Sequence, residues 1–310
     1  MAPMKIVVLG SGGVGGYFGG RLAARGVDVT FVARGAHLAA LRVHGLRIDS
    51  PDGDLHLPVV SATNDTTTIG PADVVLFAVK LYDVPAALGQ LAPLIGPDTM
   101  VVPLQNGIAS VDQLRGAVGE AHTAGGTCYV SAVIAAPGLI RHTAMGRLIF
   151  GPLNGEPARS LLALRDACAN AGFEAVLSDR IQEEIWGKFV RLTALSGVTT
   201  VTRSSIGVIM ADAELSALLT AALQESFAVA RASGVALDPT VIPAIVGSYR
   251  SIPPTMKSSM LEDLERGRRL ELPFLSGTVA RLGTQLGIPT PTHQFIATVL
   301  KPFTHPVDEH

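Results

Sequence analysis

The stretch Lys5-Ile6-Val7-Val8-Leu9-Gly10-Ser11-Gly12-Gly13-Val14-Gly15 decides the fold. Its first five residues form a short run of β-branched and aliphatic side chains, the pattern of a strand covered on both faces. The next six fit GxGxxG, and Tyr17 to Arg25 continues with helical character. Strand, glycine turn and helix in that order make the dinucleotide-binding fingerprint. Glycines permit the tight turn and let the backbone approach a pyrophosphate, whose charge the N–H groups at the helix start then face. Gly10, Ser11, Gly12, Gly13, Val14 and Gly15 are therefore the expected cofactor-binding residues.

Outward from this stretch, further apolar runs recur at Asp28 to Val32, Asp73 to Val79, Met100 to Leu104 and Leu148 to Phe150, with helical segments between them. That alternation predicts an α/β fold with a doubly wound, mostly parallel sheet of Rossmann type. Around Leu46 to Val60, the turn residues Pro51-Asp52-Gly53 between two short apolar pieces predict a small hairpin inserted in that scaffold. After about Ser178 the strand signals stop. A 3.6-residue period takes over in Arg180 to Leu195, Ala211 to Ser233, Pro239 to Ser248 and Phe274 to Leu286. The division predicted is a cofactor-binding domain over 1–178 and an all-helical substrate and catalytic domain over 179–310, with Thr304 to His310 as a frayed tail.

Composition narrows the function classes. The net charge is -2, from 24 basic and 26 acidic residues among 310, without the basic footprint that nucleic acid requires. Cys128 and Cys168 are the two cysteines, too few for a disulfide framework or a tetrahedral metal site, so the chain reads as cytoplasmic and metal-free. Mean hydropathy is high at +0.39. No apolar run approaches the ~20 residues of a membrane helix, so no membrane partner is expected. Glycines also break the Ile6 to Leu9 run before it could serve as a secretion signal. GxSxG and HExxH are absent, leaving hydrolase and zinc-protease readings unsupported. The eight histidines are scattered and read as surface or packing residues.

The second strand refines the cofactor. An NAD site usually places an acidic residue there, ~20 residues after the glycines, to bind the ribose 2′-hydroxyl. Here the position holds Ala33-Arg34, and Asp28 comes too early. A guanidinium fork suits a 2′-phosphate, which predicts NADPH/NADP+ with Arg34 as its ligand. Two more polar residues stand at strand ends, where doubly wound folds bind ligands. Lys80 could meet cofactor phosphate or substrate carboxylate, and Asn106 could bond the nicotinamide ribose or the substrate.

Farther on, Ile181, Ile185, Lys188, Leu192 and Leu195 recur at intervals of four, three, four and three, placing Lys188 in a core-facing stripe. A buried ammonium needs a partner or loses its proton. Reduction of a ketone by hydride leaves an alkoxide that needs a proton, so Lys188 is the candidate general acid.

These residues resemble the ketopantoate reductases (2-dehydropantoate 2-reductases) through nearly the whole chain. The likeness runs through Val7 to Gly15, Arg34, Ala78-Val79-Lys80, Gln105-Asn106-Gly107, Gly126-Thr127, Ile185-Trp186-Gly187-Lys188-Phe189, Ser258-Ser259-Met260 with Asp263, and Leu270-Glu271. It implies NADPH-dependent reduction of a small 2-oxo acid, ketopantoate to pantoate as in pantothenate synthesis, and is compatible with a homodimer. It further implies Lys188 as general acid, Asn106 near cofactor and substrate, Ser259 at the substrate, backbone near Ala132 along the cofactor, and Glu271 at the cofactor or aligning the lysine; helix spacing puts Ser196 on the Lys188 face, so it is a further substrate-binding candidate. Departures are confined to polar positions. Leu192, Ser196 and Ile206 stand where the family pattern has asparagines, and Leu272-Pro273 and Ser276-Gly277 replace an expected polar residue and Asn-Gly. Such replacements bear on which 2-oxo acid is preferred. Two other classes were weighed: a 3-hydroxyacid or phosphogluconate-type dehydrogenase, opposed by Trp186-Gly187-Lys188 and Ser258-Ser259-Met260, and a non-catalytic NADP(H)-binding regulator, opposed by the retention of Lys188 and Glu271.

Overall fold

In the computed structural model, which describes residues 4–304, the opening run becomes strand β1 (Lys5–Leu9) and the glycine turn leads into helix α1 (Gly13–Ala23). Side chains alternate across a strand, and both faces of β1 are buried. Ile6 and Val8 join a core containing Phe18, Leu22 and Phe31, whereas Val7 and Leu9 join a second core with Val75, Phe77, Leu91 and Leu114. Such double coverage requires helices on both sides. They are α2 (Gly35–His44), α3 (Val84–Leu88), α4 (Ala109–Val118) and α5 (Arg159–Cys168), together with α1.

Strand β1 pairs in parallel with β2 (Asp28–Val32) on one side and β6 (Val74–Phe77) on the other. With β5 (Ser61–Thr63) and β7 (Met100–Pro103) the order is β5-β2-β1-β6-β7, parallel throughout. The strand order reverses at β1, the switch point where this fold class binds ligands.

Two expectations are corrected here. The hairpin of β3 (Leu46–Asp49) and β4 (Leu55–Leu57) is antiparallel as read, but it belongs to a separate sheet, where β3 pairs with β9 (Leu139–Pro152). The run Leu148 to Phe150 likewise lies inside β9, which pairs antiparallel with β8 (Ala124–Ala136) and parallel with β10 (Glu174–Leu177). The long hairpin escaped sequence reading because β8 is buried through its first five residues and mostly exposed thereafter, so neither an apolar run nor a strict alternation marks it.

Inter-residue contacts divide the chain between Ile181 and Gln182. The second unit is helical. Helix α6 (Ile181–Thr202) leads, followed by α7 (Ile206–Ala211), α8 (Ala213–Ala232), α9 (Val241–Ser251), α10 (Ser259–Glu265), α11 (Ser276–Leu286) and α12 (Pro291–Val299). The predicted helix from Ala211 to Ser233 is interrupted at its start, because Asp212 leaves helical geometry and its carboxylate accepts from Glu214 N and Leu215 N, both at 2.9 Å. Inside this unit Thr193 Oγ1 meets Ser226 Oγ at 2.9 Å, and Ser226 Oγ meets His293 Nε2 at 2.8 Å, tying α6, α8 and α12 together. Burial holds His293 below its ordinary pKa, which favours the neutral ring such a network needs. Thr304, read as tail, is buried, and its carbonyl accepts from Arg269 Nε; residues 305–310 lie outside the described residues. Among those described, no helix is long and apolar enough to cross a membrane, and no His/Cys/Asp/Glu group could hold a metal ion.

Asp212→Ala should lower unfolding free energy by about 0.5–2 kcal/mol, the usual loss of an N-cap. Urea midpoints with an unchanged slope are the check, and an unaltered midpoint would deny the cap its role.

Candidate active site

The glycine turn is held between two strand ends. Gly10 N and Ser11 N donate to Val32 O at the end of β2 at 3.2 and 3.1 Å, and Ser11 Oγ donates to the same carbonyl at 3.1 Å. On the other side Gly10, at φ +102°, lies so close to the chain after β6 that a Cβ would stand 2.6 Å from Val79 N. Only glycine fits that approach. Gly15 lets α1 lie against β1, since a Cβ there would stand 2.7 Å from Val8 Cγ1. Gly13 faces the backbone of Ala132 on β8 with no room for a side chain, which brings the backbone of Ala132 to the start of α1. Gly12 differs from these: a Cβ there would meet nothing within 4 Å. The N-terminus of α1 also has no side-chain cap. Open space before uncapped N–H groups is the cradle a dinucleotide pyrophosphate needs, so these residues fit the cofactor that the motif implies.

The other residues predicted in this unit line the same sheet edge. Arg34 follows β2, its side chain 72% exposed, and Nη2 donates to Asp83 Oδ2 at 3.1 Å. Lys80, exposed, follows β6 and opens the short turn Leu81–Asp83. Asn106 is half-buried in the loop after β7. Its neighbour Gln105 is buried, and neither side-chain amide atom has a hydrogen-bond partner. Sequence reading quoted Gln105 but gave it no role, and overlooked Asp83; an acidic residue three positions past Lys80 was the available signal. An unpartnered buried amide costs about 1–3 kcal/mol per group.

In the second unit, Lys188 and Leu192 are half-buried, whereas Ile181, Ile185 and Leu195 are buried. The expected core-facing position of Lys188 is thereby corrected: it lies at the margin of the stripe, because the buried arc of α6 runs through Phe189, Val190, Thr193 and Ala194. Lys188, Leu192 and Ser196 still follow at one-turn intervals on one face. Ser196 is fully buried, and its Oγ has no partner. Ile206 is buried too, its N–H donating to Met256 O at 2.9 Å. Ser258 caps α10, with Oγ accepting from Leu261 N at 3.1 Å and bonding Thr199 Oγ1 at 2.7 Å. The adjacent Ser259 is exposed. Glu271 is buried just before the turn that enters α11.

Gly12→Val and Gly13→Ala should part company. At position 12 the added Cβ meets no protein atom within 4 Å, so thermal stability stays near wild type while dinucleotide affinity falls at least about tenfold by loss of pyrophosphate contacts. At position 13 it collides with the Ala132 backbone, so stability falls by roughly 1–3 kcal/mol. Thermal melts and cofactor titrations of both variants decide the matter; equal affinity losses with equal melts would remove the distinction.

Comparison with known proteins agrees with this geometry. Residues 6–155 match the model of the ketopantoate reductase PanE/ApbA domain, and residues 180–304 match that of the ketopantoate reductase PanE/ApbA C-terminal domain. The chain is 33% identical to the uncharacterized oxidoreductase YkpB of Bacillus subtilis, over 93% of this chain and 95% of that protein. It is 33% identical to a 2-dehydropantoate 2-reductase of Mesorhizobium japonicum, over 96% and 97% respectively. Among solved structures, a PanE/ApbA family ketopantoate reductase from Ralstonia eutropha superposes with a TM-score of 0.88 at 32% identity, covering 97% of this chain and 98% of that one. A Rossmann-type unit, a helical unit and matches to both family domains together place this chain in the ketopantoate reductase PanE/ApbA family, NADPH-dependent oxidoreductases that reduce 2-oxo acids.

Proposed function

We propose that this chain reduces ketopantoate to pantoate, with Lys188 as the general acid. The observation that carries the reading is the face of α6, where the half-buried Lys188 is followed two turns later by the buried, unpartnered hydroxyl of Ser196. The 33% identical 2-dehydropantoate 2-reductase supplies the substrate. NADPH, when bound, supplies the hydride. The glycine turn and the backbone at Ala132 would hold its pyrophosphate side, Arg34 its 2′-phosphate and Lys80 a further phosphate. Asn106 orients the nicotinamide ribose and the 2-oxo acid. Lys188 Nζ then gives its proton to the carbonyl oxygen as that oxygen becomes an alkoxide. Glu271 would meet the cofactor or keep the lysine aligned, and Ser259 and Ser196 would bond the polar groups of the substrate. In this reading residues 1–178 bind cofactor, residues 179–310 carry the acid, and the enzyme works in the cytoplasm.

A second reading is favoured by one feature: Leu192, a turn beyond Lys188, cannot hydrogen-bond a hydroxyl or carboxylate. The preferred substrate would then be a 2-oxo acid with a plain aliphatic tail.

Lys188→Ala should slow ketone reduction about 100- to 10,000-fold, the usual worth of a general acid, and leave NADPH affinity nearly intact. An unchanged turnover would retire Lys188 from the mechanism. Leu192→Asn should raise kcat/KM for ketopantoate by several-fold to about a hundredfold, the value of one restored buried hydrogen bond. If wild type instead prefers aliphatic 2-oxo acids over ketopantoate, the second reading replaces the first.

A further inference from the structure

Arg34 reaches Asp83 from the far side of β1. Strands β2 and β6 both pair with β1, so their ends stand two strand spacings apart, roughly 9–10 Å. The glycine turn occupies that gap, bonded to Val32 O on one side and packed on Val79 on the other. Arg34 lies just beyond the first of these strand ends and Asp83 beyond the second, and their 3.1 Å ion pair joins the two. The residue expected to take the 2′-phosphate is thus already engaged by a carboxylate.

From this we infer that Asp83 sets the preference between NADPH and NADH by competing with the 2′-phosphate for Arg34; the inference rests on the reading of Arg34 as the phosphate's ligand. A phosphate at Arg34 stands beside a carboxylate of the same sign, so NADPH gives up an ion pair and meets repulsion. NADH meets neither penalty. Its ribose 2′-hydroxyl is a donor that a carboxylate accepts, as in NAD sites where the acid comes from the second strand. In this chain the acid comes from the loop after β6, and the two residues divide the site between the two cofactors.

The alternative, that Asp83 merely steadies Arg34, is poorly served by the geometry. The pair runs through Nη2, and the two side chains are 72% and 35% exposed. Exposed pairs of this kind hold a side chain weakly.

The test is calorimetric titration of the full-length protein with NADPH and with NADH. Asp83→Asn should tighten NADPH about two- to tenfold and leave NADH within about twofold or weaker, raising the ratio of affinities. Asp83→Glu, which keeps the charge, should retain the wild-type ratio, and Asp83→Ser provides the same readout should the asparagine variant fold poorly. Arg34→Ala distinguishes the two levels of the argument. If it lowers the NADPH to NADH ratio while Asp83→Asn and Asp83→Ser fail to raise it, the competition is overturned and Arg34 keeps its role. If Arg34→Ala leaves the ratio unchanged, the reading of Arg34 falls and takes the inference with it. NADPH binding weakened by Asp83→Asn would show a supporting carboxylate and would also overturn the proposal.

Discussion

No side-chain atom fits between Gly10 and the backbone of Ala78 and Val79, and the arrangement of the first unit depends on that approach. Strand β1 is hydrogen-bonded on both edges, so the chain leaving it must rise between two neighbouring strand ends before it can enter a helix. Val32 O takes two N–H groups of the turn and fixes its height, while Val79 closes the opposite side. Gly15 then allows α1 to settle onto Val8. The start of α1 is thereby brought to the edge of the sheet where Arg34, Lys80 and Asn106 also emerge. Tight packing alone would only make a stable turn. It is the space left at Gly12, in contrast to its crowded neighbours, that makes the turn a place for a ligand.

In the second unit the corresponding constraint is polar. Helix α6 buries several hydroxyls, and its threonines largely satisfy themselves: Thr193, Thr199 and Thr202 donate to carbonyls one turn back, at 2.9, 2.7 and 2.7 Å. Ser196 and Thr200 do not, and across the unit Ser276 is also buried without a partner for Oγ. With Thr290 Oγ1, four unmet hydroxyls among the described residues of this unit run against the rule that buried polar groups are paired. Local rules of this kind are broken chiefly where function requires it. Ser196 and Ser276 are two of the positions where family resemblance expects amides, so a shorter polar group now stands where a longer one would have reached a partner.

The cofactor half was legible in the sequence because its signals are local. Lys5 to Leu9 and Asp28 to Val32 were read with the bounds they have, and GxGxxG needs only its flanking strand and helix to be interpreted. What escaped were long-range facts. The β3–β4 hairpin announced itself through Pro51-Asp52-Gly53, but the strand it pairs with lies some ninety residues later, and periodicity carries no record of that. Lys188 was placed too deep because a helix of buried residues has no single apolar stripe: from Thr193 to Thr200 every residue of α6 is buried. The Arg34–Asp83 ion pair escaped for a similar reason: an acidic residue after Lys80 is visible in the chain, but its contact across two strands is not.

In the proposed function, the apolar residues Leu192 and Ile206 bear on discrimination more than on chemistry. A site that holds a substrate hydroxyl with buried polar groups rejects an analogue lacking it by about 10⁴–10⁵, whereas an apolar wall rejects an added hydroxyl by only ~10². If both face the substrate, Leu192 and Ile206 in place of the asparagines of the family pattern would move this chain from the first regime toward the second. Ketopantoate, with its hydroxymethyl end, would then bind with fewer contacts but would not be excluded, while plainer 2-oxo acids would no longer be penalised for the group they lack. Lys188, the proposed proton donor, and the cofactor cradle would be untouched by this change. In the proposed function, loosened selectivity around Lys188 would be the physical consequence of these substitutions, with one scaffold holding hydride chemistry constant while the far end of its substrate varies.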